Sequence, residues 1–210
     1  PYLDELSEAA RIIGAVNTIV VKDGKLFGEN TDGKGFVQAL SNKGISLDGK
    51  NIVILGAGGA AKAIAVECAL AGASQVYIFN RTQSKVKELA RIIRENTKAD
   101  AAGYAWKKEL KIPENTDILI NATSIGFSPD ITAKPDIDYG TVTDQMTVCD
   151  VVFHPAETEF LKSCAAQGAK NVNGLGMLAC QGALNFTLWT GMEAPLAVME
   201  EKLRTELEKQ

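Results

Sequence analysis

The sequence predicts an α/β protein, a doubly wound parallel sheet preceded by a smaller α/β unit. Three observations carry this. From about residue 50 onward, short apolar runs alternate with segments of helical period. "GAGGAA" (56–61) stands where the first of those runs gives way to a helix. Residues 1–49 follow another pattern, with a hairpin signal that does not fit the opening of such a sheet.

Composition narrows the possibilities. The chain has 210 residues, 46% apolar and 23% charged, within the range of an ordinary soluble globular protein. A net charge of −4 gives no electrostatic footprint for nucleic acid. No apolar run is long enough to span a bilayer, and no signal peptide opens the sequence, so a cytoplasmic setting is expected, without membrane partners. The four cysteines, Cys68, Cys149, Cys164 and Cys180, form no CxxC pair, and His154 is the single histidine. Four buried free thiols and no metal site are expected. Asn121 and Asn185 begin Asn-x-Thr triplets, which are discounted as glycosylation acceptors without a secretory signal.

In chain order, residues 10–33 read as a helix end, a strand, a "KDGK" turn and a second strand. "DGKGFVQALSNKG" (32–44) reads as a helix closing on Gly44. This is too little chain for an independent core, so it is expected to be the tail of a domain whose start lies before Pro1. "NIVILG" (51–56) is a buried strand. "GGAAKAIAVECALAG" (58–72) is a helix stopped by Gly72, with Ile64, Cys68 and Ala71 facing inward. "SQVYIFN" (74–80) is a second strand, and residues 82–96 form a helix burying Val86, Leu89, Ala90 and Ile93. Residues 116–124 and 145–153 are further strands, 157–168 a helix and 169–174 a short edge strand. Residues 174–191 form a helix ended by Gly191. A last helix over 194–210 has Pro195 in its first turn and Leu196, Met199, Leu203 and Leu207 as a stripe. Repeated βα units with buried strands imply a parallel sheet covered on both faces.

Gly56, Gly58 and Ala61 match the GxGxxG/A fingerprint of a Rossmann-like dinucleotide site. The glycines allow a tight turn and let backbone approach a pyrophosphate. The helix start offers free N–H groups and the positive end of the dipole. Gly56, Ala57, Gly58, Gly59 and Ala60 are therefore expected to bind cofactor. The alternative is a glycine-rich turn used only for packing. The second strand ends in "FNRT" (79–82), where an NAD site carries an acidic residue for the ribose 2′-hydroxyl. Arg81 would instead attract a 2′-phosphate, with Asn80 and Thr82 as hydrogen-bond donors and Lys85 as a second cation. Two charge-assisted bonds of about 1.5–3 kcal/mol each would favour NADP over NAD by about two orders of magnitude or more. The alternative is a pair of solvated surface cations. Asp32 lies between a strand and a helix, where it fits either a helix cap or a reacting group.

"GAVNTI" (14–19), "GENTDGKGF" (28–36), "GAGGAAKAI" (56–64), "FNRT" (79–82), "NATSIG" (121–126) and "GLGMLACQGALNFTLWTG" (174–191) occur in this order and spacing. Together they resemble the shikimate dehydrogenase family and its close quinate/shikimate relatives, over essentially the whole chain. The resemblance implies three regions: residues 1–48 as the end of a substrate domain, 49–173 as the NADP domain, and 174–210 as C-terminal helices packing back on the substrate domain. It implies reduction of 3-dehydroshikimate to shikimate with NADPH, within chorismate and aromatic amino-acid biosynthesis, by a monomer or homodimer. By motif, Asn17, Asp32 and Gln181 would bind substrate hydroxyls, and Asp32 would be half of a proton-handling Lys–Asp pair. Thr123 and Ser124 would lie along the cofactor, with Gly174 and Met177 near its nicotinamide.

The residues leave other readings open. Gln181 shares a helix face with Met177, Leu184 and Leu188 and fits a structurally satisfied amide equally well. Asn17 fits an Asx-turn. His154, before Pro155, reads as a surface residue, and Lys62 as an exposed helix residue. The resemblance places the catalytic lysine upstream of the segment matching "PYLDEL". Lys34 and Lys62 lie in the wrong motifs for it, so a chain beginning at Pro1 is expected to bind NADP yet catalyse poorly or not at all. Phe153 stands where many members carry tyrosine, which loosens the choice between shikimate and quinate. Two rival functions are a quinate/shikimate enzyme with relaxed cofactor use and a non-catalytic NADP-binding module.

Overall fold

In the computed structural model, which describes residues 2–207 and 209, the chain opens with β1 (Glu5–Leu6), α1 (Glu8–Ile13), β2 (Thr18–Lys22), β3 (Lys25–Glu29) and α2 (Asp32–Asn42). There follow β4 (Asn51–Leu55), α3 (Gly59–Leu70), β5 (Gln75–Asn80), α4 (Gln83–Asn96), β6 (Asp100–Ala105) and β7 (Leu110–Lys111). The rest comprises β8 (Ile118–Asn121), β9 (Ile137–Asp138), β10 (Thr147–Asp150), α5 (Glu159–Ala165), β11 (Lys170–Val172), α6 (Leu175–Thr190) and α7 (Leu196–Leu207). Positions 208 and 210 of the expected last helix lie outside the described residues.

Six strands pair in parallel in the order β6-β5-β4-β8-β10-β11. Numbered along this sheet's own chain segment, that order is the 3-2-1-4-5-6 of the Rossmann fold. Alternation along the strands divides the core. Ile52, Ile54, Ile118 and Ile120 join α3 and α4 on one face. Val53, Leu55 and Leu119 join Phe160, Leu161 and Cys164 of α5 on the other. Both faces are covered, as continuous apolar strands require. All four cysteines are free and buried.

The first residues form a three-stranded sheet in the order β1-β3-β2. The β2–β3 hairpin turns through Asp23 (φ 51°) and Gly24 (φ 76°), the two left-handed residues that a tight hairpin demands. Ala9, Ile13, Phe36 and Leu40 belong to the same buried cluster as the sheet's isoleucines, so this short unit borrows the larger core. Consequently α3 is buried almost all round, against the sheet on one side and α1 and α2 on the other. Ala71, expected to face inward, is instead the exposed C-cap residue of α3.

Helix α2 approaches its neighbours through glycines. A Cβ on Gly33 would lie 2.3 Å from the Ala63 carbonyl oxygen of α3, and one on Gly35 would lie 2.8 Å from the Gln181 amide nitrogen of α6. Neither obstacle is a flexible side chain. Gly33→Ala is therefore expected to destabilise the fold by about 1–3 kcal/mol, since overpacking forces backbone apart. Urea unfolding at equilibrium reads this as a lower midpoint with little change in slope.

The structure adds what periodicity did not reveal. β6 is an edge strand drawn from "DAAGYA", and β7 pairs with β9 in a separate two-stranded sheet. Alanine and glycine give β6 no apolar alternation, and it is held by its ladder to β5. Gly103 is needed there, because a Cβ would lie 2.3 Å from the Val86 carbonyl oxygen of α4.

Candidate functional site

In open α/β sheets, ligands bind beyond the carboxyl ends of the strands, at the point where strand order reverses. Here that point lies between β4 and β8. The chain leaving β4 turns at Gly56, whose φ of 117° suits glycine, and a Cβ there would lie 2.6 Å from the Ala122 carbonyl oxygen. Gly58 is the N-cap of α3, and no side chain caps that helix end. Its first N–H groups therefore have no intrahelical partner. A Cβ at Gly58 or Gly59 would meet nothing within 4 Å, so the turn faces open space. The glycine-rich turn, the uncapped helix start and that space together fit a pyrophosphate. Ala61, fully buried, is the small residue that lets α3 pack closely on the strands.

Two cavities meet at this turn. One, of about 450 Å³, extends from Gly56–Gly58 to Asn80, Arg81 and Trp106. The other, about 290 Å³, extends from Gly58–Ala60 to Phe127, Val151 and Val152. They share Gly58, Ala122, Thr123 and Ser124, and form one groove across the sheet's carboxyl edge. Gly174 lies buried at the far end, where a Cβ would sit 2.5 Å from the Val151 carbonyl oxygen. Met177 is half-buried against the core one turn into α6.

Arg81 is exposed, and Thr82 is the N-cap of α4 with no capping bond from its hydroxyl. Lys85 lines an adjoining cavity of about 270 Å³ with Lys62 and Glu88, which shares Ala57 and Gly58 with the first of these cavities and Gly58 and Gly59 with the second. Lys62 is half-buried on that wall rather than exposed on its helix.

The Thr123–Ser124 loop rests on a buried network that sequence reading missed. Asn121 Oδ1 accepts from the Thr123 hydroxyl at 2.6 Å, and Asn121 Nδ2 donates to Asp150 Oδ1 at 2.9 Å. Asp150 Oδ2 accepts from the Thr158 hydroxyl at 2.6 Å, and Oδ1 also accepts from the Val152 N–H at 3.0 Å. Burial pushes the Asp150 carboxyl up to about 6, against the lowering effect of these donors. Because the folded value exceeds that of a free aspartate, the stabilising effect of the neutral form is complete below about pH 4. It is lost as pH rises through about 6. Asp150→Asn is uncharged throughout, so its melting temperature relative to the parent is expected to rise between pH 4 and 7. A pH-independent difference in thermal melts would refute this.

A second polar cluster lies where α2, β2 and α6 converge. Asp32 Oδ1 accepts from Asn17 Nδ2 at 2.8 Å and from Gln181 Nε2. The Thr31 N–H donates to Asn17 Oδ1 at 2.9 Å. A backbone N–H can only donate, so this bond fixes the Asn17 amide with its nitrogen towards Asp32. Among the described residues, Asp32 makes no side-chain bond to the N–H groups of its own helix, and α2 has no side-chain cap. The cap reading of Asp32 therefore gives way to the cluster. Asn185 ties the cluster together, accepting from the Thr18 hydroxyl at 2.7 Å and the Thr31 hydroxyl at 2.9 Å. It lies four residues after Gln181, a helical spacing that could have identified it.

Helix α6 joins groove and cluster. Gly174 to Gln181 spans about 10 Å at 1.5 Å per residue. Gly35 lets α6 sit against α2 at Met177 and Gln181. Lys34 is engaged elsewhere, 2.8 Å from the buried carboxylate of Glu29. His154 is half-buried rather than on the surface, and Phe153 packs edge-on against Phe127 with ring centroids 5.3 Å apart. Among the described residues, no group of three or more His, Cys, Asp or Glu could hold a metal ion, and no helix is long and apolar enough to cross a membrane.

Comparison with known proteins adds the following. The family model described as shikimate / quinate 5-dehydrogenase matches residues 38–134, and that of the shikimate 5′-dehydrogenase C-terminal domain matches residues 174–204. A shikimate dehydrogenase (NADP(+)) of Desulforamulus reducens is 47% identical over 100% of this chain and 73% of its own length. The ligand-free 5-ketofructose reductase of Gluconobacter sp. strain CHM43 superposes with a TM-score of 0.92 at 46% identity, covering 97% of this chain and 73% of that one. Shikimate 5-dehydrogenase from Listeria monocytogenes, in complex with shikimate and NAD, gives 0.89 at 35% identity, covering 96% and 72%.

Proposed function

The chain belongs to the shikimate dehydrogenase family, and from that premise we propose that it serves in the NADPH-dependent reduction of 3-dehydroshikimate to shikimate. The family is one of NADP-dependent oxidoreductases of aromatic biosynthesis. The observation that carries the reading for this chain is the glycine turn at the sheet's reversal point, which shares its cavity with Arg81 in place of a carboxylate.

The groove is the coenzyme site. Gly56, Ala57, Gly58, Gly59 and Ala60 receive the pyrophosphate on backbone N–H groups. Arg81 meets the 2′-phosphate, Asn80 and Thr82 supply hydrogen bonds, and Lys85 adds a second positive charge. Thr123 and Ser124 line the middle of the groove, and Gly174 and Met177 its nicotinamide end. When bound, NADPH supplies the hydride.

Asn17, Asp32 and Gln181 hold the hydroxyls of the ring. Both amides donate to a single oxygen of Asp32, an arrangement that locks the carboxylate's orientation. The new alkoxide needs a proton, and Asp32 is half of the Lys–Asp pair that manages it. No lysine within residues 1–210 matches the other half. Initial rates of the full-length polypeptide with 3-dehydroshikimate and NADPH test the assignment, and absence of turnover would sink it.

A second reading has specific support. The likeness to a 5-ketofructose reductase, at 46% identity, nearly equals that to a named shikimate dehydrogenase, at 47%. Overall identity therefore does not choose the polyhydroxylated ketone. The Listeria enzyme's complex with NAD similarly favours relaxed coenzyme use. Parallel assays with quinate and 5-ketofructose, each with both coenzymes, separate these readings by their kcat/KM ratios.

A further inference from the structure

We propose that Asp150 is a positioning residue of the coenzyme groove: without lining the groove, it ties the loop after β8 to the loop after β10 and so sets the spacing of the walls that hold the nicotinamide half. This rests on the coenzyme assignment above and deepens it with a residue outside the glycine turn and the "FNRT" and "NATSIG" segments.

The sheet's own hydrogen bonds stop short of the groove. Asn121 and Asp150 are the last register pair of β8 and β10, and the Val151 N–H donates to the Asn121 carbonyl at 3.0 Å. Both strands end there. One chain continues to Thr123 and Ser124, the other to Val151 and Val152, and all four residues line the cavity of about 290 Å³. Side chains take over from the ladder at this point. The Thr123 hydroxyl donates to Asn121 Oδ1 at 2.6 Å, and Asn121 Nδ2 donates to Asp150 Oδ1 at 2.9 Å. The Val152 N–H donates to the same Asp150 oxygen at 3.0 Å, and the Val152 carbonyl accepts from the Gly174 N–H at 3.3 Å. An unbroken chain of bonds therefore runs from the Thr123 loop, through Asp150, to the start of α6.

Anchoring α5 does not by itself account for a polar side chain here. Asp150 is 2% exposed and lines neither cavity of the groove. Thr158 caps α5 with its own oxygen, accepting from the Leu161 N–H at 3.3 Å, a task that needs no acidic neighbour. Burying a carboxyl costs free energy that an apolar side chain does not incur. What the carboxyl supplies is a flat fork. One prong accepts from Asn121 and Val152, and the other from Thr158. A satisfied polar network of this kind holds its members in one arrangement. An asparagine amide has the same fork, and alanine has none.

The test is steady-state kinetics of the full-length polypeptide at pH 7 with 3-dehydroshikimate and NADPH, with adenosine 2′,5′-bisphosphate as a competing ligand. The bisphosphate fills only the adenosine half of the groove. Its inhibition constant reads the fold and that half, whereas kcat/KM for NADPH also reads nicotinamide placement. Asp150→Ala is expected to lower kcat/KM by about ten-fold or more, with the inhibition constant within about two-fold of the parent's, because a misplaced reacting group costs rate. Asn121→Ala cuts the link from the other wall, is expected to do the same, and decides the matter where Asp150→Ala does not fold. Asp150→Asn keeps the fork and is expected to hold both quantities within about three-fold of the parent's. Unchanged kcat/KM in the alanine variants overturns the positioning role. Equal losses in kcat/KM and inhibitor binding also overturn it and leave Asp150 a support of the fold. So does a selective loss in Asp150→Asn as large as that in Asp150→Ala. If the parent itself does not turn over, the reductase reading falls and this assignment with it.

Discussion

Asp32→Asn is expected to lower turnover on 3-dehydroshikimate by roughly 10²–10⁴-fold, the range attributed to general acid–base catalysis. Affinity for NADPH should stay nearly constant. The variant separates chemistry from architecture because asparagine keeps the shape and one carbonyl oxygen. That oxygen can still accept from Asn17 Nδ2 and Gln181 Nε2, the two donors Asp32 Oδ1 takes in the parent. Asn185, Thr18 and Thr31 are bonded among themselves and continue to hold α6 against the first unit. What disappears is the charge and the capacity to share a proton with a neighbouring base. Steady-state rates and coenzyme titration on the full-length polypeptide give both numbers. If the variant turns over like the parent, Asp32 is an anchor for two amides and the proton is handled elsewhere.

Arg81→Asp is the second large expectation. It should reduce the preference for NADP over NAD by about two orders of magnitude or more, from lost charge-assisted bonds and added repulsion. The carboxylate also restores the group that NAD sites use on the ribose diol. Arg81 is exposed, so the contrast is greatest at low ionic strength and shrinks as salt is added. The relevant measurement is the ratio of Kd values for the two coenzymes at one fixed salt concentration. An unchanged ratio would remove "FNRT" from the selectivity argument and leave Arg81 a solvated cation.

Legibility in the sequence followed the range of the interactions concerned. The helix over 83–96 buries the expected Val86, Leu89, Ala90 and Ile93, because an amphipathic stripe is written at a spacing of three and four residues. Gly191 ends α6 in the left-handed region (φ 71°), again a local matter. By contrast, "DAAGYA" has no alternation to read, and it becomes β6 because β5 offers an unpaired edge. The hydroxyl-rich site was equally hard to see. Thr18, Thr31 and Asn185 are ordinary polar residues until a fold joins positions 154 and 167 residues apart.

The sequence by itself determined the alternating strands and helices, the glycine turn and the basic end of the second strand. Each depends on backbone preference or side-chain periodicity within a few consecutive residues. The tertiary structure alone decided three things: that Trp106 stands beside Arg81, that Asp150 lies beneath the Thr123 loop, and that Asp32 holds the amides of Asn17 and Gln181. These are juxtapositions made by strand register and by helices meeting at Gly33 and Gly35. Their energy lies in burial and in polar pairing across the fold, which no window along the chain contains.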